Sequence, residues 1–179
     1  MIPLSKPIVG IAEKEAVLRV LESGMLAQGP EVAAFEQEFS ELVASHHCIA
    51  VNSGTSALHL GLLAAGIKSG DEVLVPSFTF AATANAVSLC GAIPIFVDID
   101  PQTFNMNVDA AEAAIGNNTA GILPVHLYGH PANMPEFTKL AERDGLLLFE
   151  DAAQAHLASS NGNTVGCVGT SIFSFYQNR

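Results

Sequence analysis

The segment Leu146-Leu147-Leu148-Phe149-Glu150-Asp151-Ala152-Ala153-Gln154-Ala155-His156 changes character at its fifth residue. Its first four residues are a short apolar run, the pattern of a strand buried on both faces. The run stops at two carboxylates. In an open α/β sheet, ligands bind beyond the carboxyl ends of the strands. A carboxylate placed there can pair with a protonated ring nitrogen or another cation in a partly desolvated site. Gln154 and His156 follow on the next turn with an amide and an imidazole. Two acids can also do no more than end a strand and cap the segment after it. Their meaning therefore depends on the rest of the chain.

Moving outward, residues 134–144 read as a helix, with Asn133 before it, Pro135 in its first turn and Gly145 after it. Residues 121–127 read as a strand, and 108–115 as a helix with Asn107 as its N-cap. Residues 93–97 form a strand ending at Asp98, 80–89 an Ala-rich helix ending at Gly91, and 72–75 a strand stopped by Pro76. Residues 57–65 are an almost wholly apolar helix, with 48–51 as the strand before it. Residues 171–176 supply the last strand. Strands alternating with helices predict an α/β fold with a mostly parallel sheet and helices on both faces. The polar residues gather after the strands, at 53–56, 77–79, Asp98, His126, 151–156 and Ser174. That clustering is the main sign of a ligand site.

The N-terminal part has a different pattern. Ala16, Val17, Val20 and Leu21 lie on one helical stripe that ends at Gly24, and Val32, Phe35, Phe39, Leu42 and Val43 make a second. Residues 1–45 thus read as a helical segment lying on the outside of the domain or against a partner.

Hydrophobic residues make up 49% and charged residues 14% of the 179, which excludes a disordered chain. A net charge of −11 argues against nucleic acid as a partner. The seven basic residues (Lys6, Lys14, Arg19, Lys68, Lys139, Arg143, Arg179) form no patch, so a bound phosphate would rely on backbone N–H groups. Cys48, Cys90 and Cys167 have no CxxC spacing and read as reduced core or near-core thiols of a cytoplasmic protein. The first seven residues show no apolar signal core, and no stretch reaches the ~18 apolar residues of a membrane span.

Four segments carry candidate chemistry. Ser53-Gly54-Thr55-Ser56 joins a strand to a helix; Gly54 lets backbone approach a ligand, and the helix start offers N–H groups and a positive dipole end. The same residues also suit a plain Ser/Thr N-cap. The segment is neither a P-loop nor a dinucleotide fingerprint. Pro76-Ser77-Phe78-Thr79-Phe80 puts aromatics in a strand-end loop, where they can stack on a flat ring or belong to the core. Pro124-Val125-His126-Leu127-Tyr128-Gly129-His130-Pro131 holds two histidines without ligands at zinc spacing. His126 fits a satisfied structural histidine as well as a ligand. Ser174, after an apolar strand, can donate to a phosphate.

Ser53-Gly54-Thr55-Ser56-Ala57-Leu58, residues 76–83, residues 124–129, residues 150–156 and Phe173-Ser174-Phe175-Tyr176 stand in one order. That order resembles the DegT/StrS-type sugar aminotransferases, pyridoxal-phosphate enzymes of the aspartate-aminotransferase fold. The Gly29-Pro30-Glu31-Val32 and Phe35-Glu36 pattern is similar too. The resemblance implies that residues 46–179 are an incomplete version of the family's large cofactor-binding domain. It implies that Asp151 pairs with the pyridinium nitrogen and that Gln154 contacts the phenolic oxygen. Phe80 would stack on the ring, and Gly54, Thr55, Ser56 and Ser174 would hold the phosphate. The implied reaction moves an amino group, usually from glutamate, to a keto-sugar nucleotide for sugar or polysaccharide biosynthesis. A cytoplasmic homodimer is implied as well.

Two departures stand against this. The family's Schiff-base lysine falls five residues after the serine of the Phe-Ser-Phe motif, and that position here is Arg179. Arginine stays protonated and cannot form the Schiff base. The family's members are also about twice this length, so the chain by itself is expected to be inactive. The alternative is a non-catalytic protein that binds pyridoxal phosphate or a sugar nucleotide.

Overall fold

The computed structural model describes residues 7–45 and 47–176. These fall into two compact units, one of residues up to Ala50 together with Tyr176, the other spanning Val51–Phe175.

In the first unit, α1 (Ile11–Ser23) and α2 (Pro30–Leu42) are the two expected helices. Gly24 ends α1 at φ 71°, a left-handed conformation that an L side chain would strain. Helix α1 buries none of its residues, whereas α2 buries Phe39, on whose ring Phe35 stacks at 5.7 Å. The expected strand at 48–51 does not form. Ile49 is exposed, and the Ala50 N–H donates to Glu36 Oε1 at 2.7 Å in place of a neighbouring strand.

The second unit is the predicted α/β fold. Its helices are α3 (Gly54–Ala64), α4 (Ala82–Leu89), α5 (Val108–Ala113) and α6 (Met134–Asp144). Its main strands are β1 (Glu72–Pro76), β2 (Ile93–Val97), β3 (Thr119–Ile122) and β4 (Leu147–Asp151). A small antiparallel pair, β5 (Ser159–Ser160) and β6 (Asn163–Thr164), precedes β7 (Thr170–Ile172). The main sheet is parallel, in the order β2-β1-β3-β4-β7.

Side-chain alternation in β1 shows why the sheet is covered on both faces. Val73, Leu74 and Val75 are all fully buried. Val73 and Val75 join Leu58, Leu62, Ala86 and Val87 of α3 and α4 on one face. Leu74 joins Ala111 of α5 and Phe137, Leu140 and Ala141 of α6 on the other. The crossover from β1 to β2 runs outward, and the next returns past β1 to β3. The chain thus reverses direction between β1 and β3, and in such sheets the loops beyond that point part to leave a crevice.

Several boundaries differ from expectation; α3 starts three residues earlier, at Gly54, and α4 two residues later, at Ala82. Strand β4 runs on through both acids, because Glu150 and Asp151 still pair with Ser171 and Ile172 of β7. Strand β3 ends at Ile122, and residues Leu127–Gly129 form a 3₁₀ turn. Strand β7 stops at Ile172, short of Tyr176. Helix α5 ends at Ala113, two residues early, although Asn107 caps it as expected by accepting the Ala110 N–H at 2.9 Å. All three cysteines are free, and Cys167 is exposed where a core or near-core position was expected. No helix of the described residues is long and apolar enough to cross a membrane.

Candidate active site

Asp151 ends β4 with 5% of its surface exposed. Its Oδ2 accepts the Thr83 hydroxyl at 2.8 Å, and its Oδ1 accepts the Ala153 N–H at 3.2 Å. Burial raises its pKa above the ordinary carboxylate range; the bonds from Thr83 and Ala153 offset this only in part. Among the described residues no ion pair involves Asp151. A carboxylate held this way favours a cation beside it, since a positive charge would offset the cost of desolvation.

Glu150, the neighbouring acid, points into a different environment. It is 1% exposed and accepts four hydrogen bonds: Gly166 N–H at 3.1 Å, Val168 N–H at 2.9 Å, the Ser171 hydroxyl at 2.9 Å and His126 Nε2 at 2.9 Å. Burial works to raise its pKa, but the bonds from His126, Gly166 and Val168 prevail and hold it below the ordinary value. Glu150 is therefore a structural hub.

His126 resolves in the same direction. Its Nδ1 accepts the Ala132 N–H at 2.9 Å. A backbone N–H can only donate, so Nδ1 carries the lone pair and Nε2 carries the proton that goes to Glu150. The imidazole is neutral, fully buried and satisfied at both nitrogens.

Gln154 Oε1 accepts the Tyr128 N–H at 2.8 Å, with Tyr128 held at φ 52°. That bond fixes the amide orientation and makes the side-chain NH2 the end that can donate to an oxyanion. His156, expected to supply an imidazole hydrogen bond, instead packs its ring against Phe173 and Phe175, with centroids at 5.5 and 5.0 Å. Burial there keeps its pKa below the usual value.

Ser53 caps α3: its Oγ accepts the Ser56 N–H at 3.1 Å and lies 3.0 Å from Ser56 Oγ. The N-cap alternative raised by the sequence is thus part of the structure. Helix geometry leaves the first N–H groups, at Gly54 and Thr55, without intrahelical carbonyls. Ser174 packs against Gly54. A Cβ placed on Gly54 would stand 2.8 Å from Ser174 Cβ and 2.9 Å from its Oγ. Only glycine admits this approach, which joins the start of α3 to the chain two residues beyond β7. Because β7 pairs with β4, Asp151, Ser174 and the start of α3 lie on adjacent elements at one end of the sheet.

Phe80 is 72% exposed in the loop after β1, so it is not a core residue. Phe78, 47% exposed, has its ring 6.1 Å from that of Phe104. Thr55 is exposed on the first turn of α3. Arg179 lies outside the described residues.

Sequence reasoning missed Thr83, a fully buried hydroxyl on α4 that reaches Asp151 across 68 residues. The available signal was a single threonine inside an Ala-rich helix. A cleft of about 660 Å³ elsewhere, bordered by Asp100, Asn105, Asp109, His130, Glu136 and Ser160, contains none of the expected site residues.

The donor set fits pyridoxal phosphate. A buried carboxylate without a cation beside it among the described residues suits a protonated ring nitrogen, and the close approach at Gly54 brings a serine to a helix start, a setting for an anion. Comparison with known proteins bears on the same point. The chain is 45% identical to S. venezuelae DesV, solved in complex with a ketimine intermediate, covering 92% of this chain and 45% of DesV at a TM-score of 0.88. It is 39% identical to NtdA from Bacillus subtilis with bound cofactor PMP (88% of this chain, 36% of that one, TM-score 0.79). It is 36% identical to DesI solved in the presence of its TDP-sugar product (91% and 42%, TM-score 0.84). The chain spans less than half the length of each of these relatives. The profile of the DegT/DnrJ/EryC1/StrS aminotransferase family matches residues 7–179, and the chain belongs to that family.

Proposed function

We propose that this chain is the cofactor-binding part of a pyridoxal-phosphate-dependent sugar aminotransferase. The whole enzyme would move an amino group from an amino donor such as glutamate to a keto-sugar nucleotide. The observation that carries the reading is Asp151, a buried strand-end carboxylate without an ion-pair partner among the described residues. When bound, the cofactor supplies an electron sink that stabilises negative charge at the substrate carbon. The chain's own residues hold it in place. Asp151 keeps the ring nitrogen protonated, and the Gln154 NH2 donates to the phenolic oxygen. The exposed Phe80 ring covers one face of the site. The Gly54 and Thr55 amides, the Thr55 and Ser56 hydroxyls and Ser174 receive the phosphate. Residues 46–179 are assigned to this cofactor part and residues 1–45 to the helical segment before it. We assign a homodimer to the whole enzyme, supported by Leu60, Leu63, Leu89 and Phe96, which are at least 44% exposed on the second unit.

Arg179 favours a second reading, a cofactor-binding protein without turnover, because a guanidinium cannot serve as the Schiff-base amine. One experiment addresses both. The protein is titrated with pyridoxal phosphate, reduced with borohydride and mapped by peptide mass. Saturable binding without a covalent adduct is expected. Absence of saturable binding would refute the cofactor reading. A stoichiometric adduct at a single lysine would refute the assignment of the lysine's position to Arg179.

A further inference from the structure

We propose that Thr83 is a positioning residue for Asp151, part of a relay of two hydroxyls that fixes the carboxylate's rotation and keeps it ionised. The inference rests on the reading of Asp151 as the partner of a ring nitrogen.

The relay starts in the loop after β1. Thr79 Oγ1 lies 2.9 Å from Thr83 Oγ1, and Thr83 Oγ1 lies 2.8 Å from Asp151 Oδ2. An ionised carboxylate only accepts, so the single Thr83 proton goes to Asp151. Thr83 must then accept from Thr79, which sets the direction of the chain. Two hydroxyls in series polarise each other and strengthen the final bond. Thr83 is fully buried, so water does not compete for its proton.

The geometry divides the work between the two carboxylate oxygens. Oδ2 is taken by a short bond from a side chain on α4. Oδ1 has only the longer bond from the Ala153 N–H, which leaves acceptor capacity on that oxygen. A free carboxylate would turn about its χ2 torsion, whereas a bond from another element pins that rotation. Since α4 follows β1 and Asp151 ends β4, the bond also ties together strand ends that are not neighbours in the sheet. Buried Asp151 is pushed toward its neutral form, and the Thr83 hydroxyl acts against that push. The other titratable groups beside it are His126, from the segment after β3, and Glu150, its neighbour on β4. Both take part in the side-chain network described above, in which Thr83 has no bond.

The test compares the wild type with Thr83→Val, which keeps the shape and removes the hydroxyl, and Thr83→Ser, which restores it. The first readout needs no cofactor: the Asp151 carboxyl carbon is followed by NMR through a pH titration. A hydrogen bond to a charged group corresponds to about one pH unit here. The expected result is a midpoint about one unit higher in T83V and near wild type in T83S. The second readout is the dissociation constant for pyridoxal phosphate at neutral pH, expected to weaken about tenfold in T83V and to recover in T83S. Equal Asp151 midpoints in all three proteins would overturn the proposal, as would a T83S midpoint that follows T83V. Failure of the cofactor reading shows separately. If Asp151→Asn binds pyridoxal phosphate as tightly as the wild type, that reading falls and the proposal's functional half falls with it.

Discussion

Replacing Glu150 by Gln changes one atom and disturbs four hydrogen bonds. In the wild type, Oε2 accepts from His126 and Gly166, and Oε1 accepts from Val168 and Ser171. Glutamine has one carbonyl oxygen and one NH2, so one pair of donors must face another donor. The better arrangement keeps the oxygen toward His126 and Gly166. The NH2 then faces Ser171, which can turn its proton to the Val168 carbonyl 3.2 Å away and accept. The Val168 N–H has no such freedom and is left unpaired. An orphaned N–H costs about 1–3 kcal/mol, and the bonds that remain lose the charge that strengthened them. Relief of the carboxylate's desolvation offsets part of this. The net expectation is a loss of about 3 kcal/mol, roughly a hundredfold in the folding equilibrium. Urea unfolding read by circular dichroism would show a lower midpoint with an unchanged slope. A Glu150→Gln midpoint within about 0.5 kcal/mol of the wild type would refute the hub assignment.

Other perturbations should separate binding from stability. Gly54→Ala places a methyl 2.8 Å from Ser174 Cβ, so it should weaken pyridoxal phosphate binding by about tenfold or more, measured by absorbance titration. Unchanged affinity would remove the Ser174–helix contact from the site. Phe80→Ala should leave stability within about 0.5 kcal/mol, because the ring is 72% exposed, yet weaken cofactor binding about three- to tenfold. A large stability loss there would mean the ring is structural. The two neighbouring acids should act oppositely with pH. Glu150 titrates below its ordinary value in the fold, so its contribution is present above that ordinary value and lost as pH falls through the lowered one. Asp151 titrates above its ordinary value, so it costs stability while ionised, and the cost is relieved as pH falls through the raised value. Asp151→Asn should therefore stabilise the cofactor-free protein at neutral pH, and a lower unfolding midpoint would contradict this.

Much of this fold was legible in the sequence because its signals are local. Helix α6 spans the residues expected, since Pro135 and Gly145 mark its two ends. Strand β2 matches its apolar run, and Gly24 stops α1 through a backbone conformation that can be read from one residue. The misses arose where pairing, not hydrophobicity, sets the boundary. Strand β4 continues through Glu150 and Asp151 because β7 offers backbone partners, which no side-chain pattern announces. Residues 48–51 carry a strand-like run but pair with no strand among the described residues. The site divides in the same way. Asp151 and Gly54 stand out as candidates from their places at a strand end and a helix start. Thr83 was not, because its role depends on a contact 68 residues away. Glu150 and Asp151 look alike in sequence, and only the alternation of the strand sends one to a hub and the other toward the candidate site.

The proposed function stands or falls on Asp151 pairing with a protonated ring nitrogen. The most direct measurement is the affinity of the wild type and of Asp151→Asn for pyridoxal phosphate and for its 1-deaza analogue, in which carbon replaces that nitrogen. The wild type is expected to bind the analogue about tenfold or more weakly, and the difference is expected to collapse in Asp151→Asn, the coupling of two groups in contact. Equal affinity of the wild type for both ligands would contradict it.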